Sequence, residues 1–112
     1  MHIFRQIIEG YQHVKGKQIV HRDLKPDNIL FRRNPNQSKQ IAIIDFGYCE
    51  MEEVPNKPQV FYNVGSPKYM SPEAYKDNHY SEKSDIWAIG VMLYEMLMGS
   101  TCDKGMTMEV YL

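Results

Sequence analysis

Cysteine is scarce. The 112 residues hold two, Cys49 and Cys102, and they stand far apart. That spacing excludes a disulfide framework and a cysteine metal knuckle, and reduced intracellular thiols are expected. An excess of either charge is also missing. Thirteen Lys and Arg face fourteen Asp and Glu, for a net charge of −1. A nucleic-acid or anionic-membrane partner would call for a basic surplus. Long hydrophobic runs are absent. The longest, from Ile86 to Leu97, carries Glu95 and is too short to span a bilayer. No signal-peptide pattern opens the chain, so a cytoplasmic location is expected. There is no internal repeat and no low-complexity tract. The length suits one domain with a modest core.

The periodicity that is present predicts a mainly α protein with a short β-hairpin. Phe4, Ile7, Ile8, Tyr11 and Val14 fall on one stripe and predict an amphipathic helix over 2–15. Gly16 is expected to stop it in a left-handed turn. Ile19 and Val20 make a very short strand. Ile29 to Phe31 and Ile41 to Ile44 read as two strands joined through the turn-forming Asn34-Pro35-Asn36. Tyr48 to Tyr69 is irregular and too long for a plain connection, which suggests a functional loop. A short helix is expected to about Lys76. A second strong helix is expected over 82–98, capped by Ser81 or Ser84 and ended by Gly99. Its apolar residues run nearly all the way round, so it should be buried on most sides, as a central post about 25 Å long.

The chemistry concentrates in His21-Arg22-Asp23-Leu24-Lys25-Pro26-Asp27-Asn28-Ile29-Leu30. Moving a phosphoryl group needs a proton acceptor, a cation over the moving phosphate and oxygen ligands for magnesium. Asp23, Lys25 and Asn28 supply one of each. The predicted hairpin brings Asn28 close to Asp45, and two such oxygen donors are what one magnesium ion takes beside phosphate.

This stretch matches H-R-D-L-x-x-x-N throughout. Asp45-Phe46-Gly47, Ser71-Pro72-Glu73 and Asp85-x-Trp87-x-x-Gly90 follow in order. The chain therefore resembles a eukaryotic-type serine/threonine protein kinase. The resemblance covers about residues 2–99 and implies a partial α+β kinase-like fold. Residues 1–112 would be the first part of the C-terminal lobe, without the N-lobe and the last helices. It leans toward the autophagy-initiating (ULK-like) or calmodulin-dependent groups.

The resemblance implies ATP and Mg2+ as cofactors and a protein substrate. Asp23 would orient the substrate hydroxyl and accept its proton, and Lys25 would neutralise the transferring phosphate. Asn28 and Asp45 would hold magnesium, and Leu30 would lie under the adenine ring. Phe46 would pack against His21. Ser66 would reach Asp23 and Lys25 from the substrate side. Asp85 would hold the backbone of the catalytic loop. Glu73 stands where the family has a glutamate that pairs with a later arginine, and that arginine is not among these residues.

Three readings stay open. Arg22 either binds a phosphate on the activation segment or simply supports the loop. No Ser or Thr lies between Tyr48 and Gly65, and Tyr62 is either a modified residue or a packed one. Cys49 reads as a small buried apolar residue. No G-x-G-x-x-G segment and no strand lysine with its helix glutamate occur, and these cover ATP in the family. The 112 residues alone are accordingly expected to be inactive, either as part of a larger kinase domain that also includes an N-lobe or regulatory domains, or as an inactive half-lobe that binds other proteins.

Overall fold

The computed structural model describes residues 2–33, 39–51, 65–100 and 102. In chain order these form α1 (His2–Gly16), β1 (Ile19–Val20), β2 (Ile29–Arg33), β3 (Lys39–Ile43), β4 (Glu50–Met51), α2 (Pro72–Asp77) and α3 (Glu82–Met98). Two single turns of 3-10 helix, Pro26–Asn28 and Pro67–Tyr69, sit in the loops. Each begins with proline, whose missing N–H is not needed at a helix start.

The apolar stripe of α1 makes the core. Ile7, Tyr11 and Val14 are buried against Leu24 of the loop and Ala88, Ile89 and Met92 of α3. β2 and β3 pair antiparallel, with Ile29 opposite Ile43 and Phe31 opposite Ile41. The helix lies on this hairpin. Gly10 faces Ile43 there, and a Cβ at this position would make only an ordinary van der Waals contact, at 3.4 Å. Gln6, on the edge of the apolar stripe, accepts the Ile41 N–H at 3.0 Å. It satisfies a strand amide left over by the two-stranded ladder.

Helix ends follow their local chemistry. Ser81 and Ser84 form a reciprocal capping box at the start of α3, so both expected caps are used. Gly99 closes the helix at φ 73°. Asn78 does the same for α2 at φ 52°, a conformation asparagine tolerates well. Gly16 does not make the left-handed turn after α1. The bonds Lys17 N–H to Val14 O and Gln18 N–H to Lys15 O tighten the last turn, and the reversal falls on Gln18 at φ 57°.

Three further expectations need correction. β4 pairs with β1, Ile19 opposite Met51, so part of the supposedly irregular stretch is strand. Two residues are too short to show a period in sequence. The second correction is α3. Ser84, Asp85, Ala88, Ile89, Val91 and Met92 are buried, whereas Ile86, Trp87, Met96, Leu97 and Met98 are exposed, Leu97 by 64%. α1, the loop and the Pro67–Tyr69 turn pack against α3, and its exposed apolar residues lie off those contacts. Cys49 is half-buried, not buried, and Cys102 is likewise half-buried; both are free thiols. No helix among the described residues is long and apolar enough to cross a membrane.

Candidate active site

β1 delivers the chain to His21, and the Pro26–Asn28 turn returns it to β2. The loop between them is hung on one carboxylate from α3. Asp85, 2% exposed, accepts the His21 N–H at 2.7 Å through Oδ2 and the Arg22 N–H at 3.0 Å through Oδ1. Tyr11 of α1 donates its hydroxyl to the same Oδ2 at 3.0 Å. Burial pushes the Asp85 carboxyl above its usual range, and the three donors pull it back in part. Arg22 sits at φ 72°, a conformation that costs a long side chain about 1–2 kcal/mol. The amide bond to Asp85 offsets that cost.

His21 is fully buried and connects three elements. Its Nδ1 accepts the Asp23 N–H at 3.1 Å, and its Nε2 lies 2.9 Å from the Ile44 carbonyl. These partners assign the ring proton to Nε2. Phe46 stands edge-on to the imidazole, with centroids 4.7 Å apart. One histidine thus ties the backbone of Asp23 to the end of β3.

Asp23 is buried at 6% exposure. Asn28 Nδ2 donates to its carbonyl at 2.7 Å and to Oδ2 at 3.3 Å. Oδ1 has no hydrogen-bond partner among the described residues. Lys25 Nζ stands 3.8 Å from it and donates to Ser66 Oγ at 2.8 Å. Ser66 therefore bonds Lys25 directly, and Lys25 links it to Asp23.

Gly65 brings that segment in. It lies at φ 97°, and a Cβ there would come within 2.5 Å of the Arg22 carbonyl oxygen. Backbone cannot yield as a side chain can. Gly65→Ala is expected to cost about 1–3 kcal/mol in strain. Thermal unfolding would show this as a drop of several degrees, and an unchanged Tm would contradict the close approach.

The other expected residues lie at varied distances from this centre. Asp45 is exposed at φ 62°, just past the Ile44 N–H that bonds Asn28 O at 2.9 Å. Its Oδ1 accepts the Gly47 N–H at 3.3 Å. The β2–β3 ladder thus sets Asn28 and Asp45 at adjoining strand ends. Leu30 is on β2 and half exposed. Arg22 donates from Nε to the Tyr48 carbonyl at 2.5 Å and stacks over the Tyr80 ring at 5.1 Å. Glu73, half-buried in the first turn of α2, makes no ion pair among the described residues. Tyr62 lies outside the described residues.

Sequence reasoning missed Tyr11, Tyr48, Tyr80 and Gly65. Only Tyr11 carried a signal, a hydroxyl on a buried stripe that must find a partner. The others act through backbone or ring faces, which no motif spacing displays.

The donors suit magnesium. With Nδ2 of Asn28 spent on Asp23, its remaining functional atom is an oxygen, and Asp45 adds an exposed carboxylate. Magnesium takes hard oxygens and needs one or two from protein when phosphates and water fill the rest. No group of three or more His, Cys, Asp or Glu among the described residues could cage a metal without such help.

Known proteins resemble this chain in sequence. The family described as protein kinase domain matches residues 1–109. The chain is 37% identical over 99 residues to the serine/threonine-protein kinase atg1 of Dictyostelium discoideum, covering 88% of this chain and 14% of that protein. It is 39% identical over 95 residues to the serine/threonine-protein kinase CLA4 of Candida albicans, covering 84% and 9%. To the serine/threonine-protein kinase SKM1 of Saccharomyces cerevisiae it is 38% identical over 99 residues, covering 88% and 14%. The chain thus spans about a seventh or less of the length of these relatives. The autophagy-type leaning is consistent with the first, and the comparable identity of the others does not separate the groups.

Proposed function

Because the chain belongs to the protein kinase domain family, we propose that it forms the catalytic-loop part of a serine/threonine kinase that phosphorylates protein hydroxyls with ATP. The observation that carries this is Asp23 Oδ1, a buried carboxylate oxygen with no hydrogen-bond donor among the described residues, beside a lysine. A buried acceptor left open is costly unless something fills it, and a substrate hydroxyl would. Asp23 orients that hydroxyl and takes its proton. Lys25, steadied by Ser66, balances the negative charge on the phosphate in flight. Lysine two residues after the aspartate supports serine and threonine as acceptors. Asn28 and Asp45 would hold magnesium, which when bound neutralises phosphate charge. Leu30 offers an apolar surface to the adenine, and Arg22 holds the Tyr48 carbonyl where the next segment begins. On this reading residues 1–112 belong to the C-terminal lobe of a cytoplasmic kinase, and a nucleotide-clamping lobe completes the site.

The test is a phosphotransfer assay on the native polypeptide with Mg·ATP and a generic basic protein. Phosphoserine and phosphothreonine are expected, and chelating the magnesium should stop their formation. Phosphotyrosine alone would overturn the serine/threonine assignment. No transfer at all would turn the reading to a protein-binding module.

A further inference from the structure

Tyr11 does more than fill space. Its ring is in the core cluster, 3% exposed, where phenylalanine or leucine would pack as well. Its hydroxyl is what differs, and it lies 3.0 Å from Asp85 Oδ2 and 3.4 Å from the Glu82 carbonyl. Asp85 in turn carries two consecutive amides of the loop on its two oxygens, and one of those residues is Arg22 in the left-handed region. A carboxylate can rotate about its last bond, and rotation would release both amides. Neither amide can prevent this, because both belong to the loop being held. A donor from a different element can. Tyr11 comes from α1, which packs on α3 through Ala88, Ile89 and Met92 as well as on Leu24 of the loop.

We propose that the Tyr11 hydroxyl is a positioning residue for phosphoryl transfer, locking the Asp85 carboxylate in the one orientation that carries the His21 and Arg22 amides and so places Asp23. The inference rests on the kinase reading above for its consequence, not for its geometry. The two other hydrogen-bond donors to Asp85 are the His21 and Arg22 amides of the loop. The Tyr11 hydroxyl couples α1 to the catalytic backbone through Asp85.

The test is Tyr11→Phe in the native polypeptide, with Tyr11→Leu as a second apolar filler should the first fold poorly. Hydrogen exchange at the His21 and Arg22 amides is expected to quicken about tenfold, the equivalent of one ordinary hydrogen bond. Amides of Ile7 in α1 and Met92 in α3 should not change. Where the wild type transfers phosphate, kcat per folded molecule should fall several-fold with the KM for ATP unchanged. Unchanged exchange at His21 and Arg22 would overturn the proposal. So would a uniform rise across all amides, which marks lost stability and nothing more. Exchange is read without turnover. An inactive wild type would therefore sink the kinase reading and leave this one still decided by its own measurement.

Discussion

Asp23→Ala is expected to lower kcat by about 10²–10⁴, the range for loss of a general base. The structure explains why the loss should be chemical and not architectural. The Asn28 side chain makes its short bond to the Asp23 carbonyl, at 2.7 Å, and alanine keeps that carbonyl. The Asp23 N–H bond to His21 also survives. What goes is a buried carboxylate with one oxygen unsatisfied, so stability should hold or rise slightly. Lys25 keeps its bond to Ser66 and hence its place. KM for ATP should change little, because Asn28 and Asp45 are untouched. Steady-state kinetics beside a thermal melt would check this. Turnover at the wild-type rate would remove Asp23 from the mechanism, and a collapsed melt would make its role structural.

Asp85→Ala should produce the largest stability loss in the molecule. The His21 and Arg22 amides and the Tyr11 hydroxyl would all lose their buried or partly buried acceptor. Each orphaned buried donor costs about 1–3 kcal/mol, so the loop amides alone account for roughly 2–6 kcal/mol. Small domains have about 5–15 kcal/mol in total. Denaturant unfolding measures this directly, and a loss below about 1 kcal/mol would mean the carboxylate is not the anchor.

Asp85 also gives stability a pH dependence. Burial raises its folded pKa above the ordinary 3.8. Between those two values the folded state holds a proton that the unfolded state has lost, so stability falls as pH rises through that window. The favourable contribution is complete below the unfolded value and gone above the folded one. Asp85→Asn removes the titration. The difference in unfolding free energy between wild type and Asp85→Asn should therefore decline from about pH 4 upward. A difference that grows with pH would mean that the three donors outweigh burial.

Much of the site could be read as a linear pattern. Asp23, Lys25, Asn28 and Asp45 stand in the order and spacing that the hairpin turns into proximity, and the stripe of α1 names its own buried face. The reading failed where the deciding contact was distant or lay on the backbone. The all-round apolarity of α3 suggested burial on most sides, yet Ile86, Leu97 and Met98 face outward. Periodicity reports what a helix could bury and not which neighbours arrive. β4 was invisible because two residues carry no period. Gln18, and not Gly16, took the left-handed turn, since the bonds of the last helical turn and not glycine's freedom set where the chain reversed.

The linear order of residues was enough to point to the family and to the first and last helices among the described residues, because motif spacing and apolar stripes are local properties. The resemblance pointed Asp85 at the loop backbone, but folding alone decided which amides it would hold, 64 and 63 residues away, and that a tyrosine 74 residues away would hold Asp85. It decided as well that Gly65 would pass against the Arg22 carbonyl and that Asp23 would keep one oxygen open. Those are contacts between elements remote in sequence. Their geometry depends on how α1, α3 and the loop pack together, and no local pattern encodes the angle and distance at which packed surfaces meet.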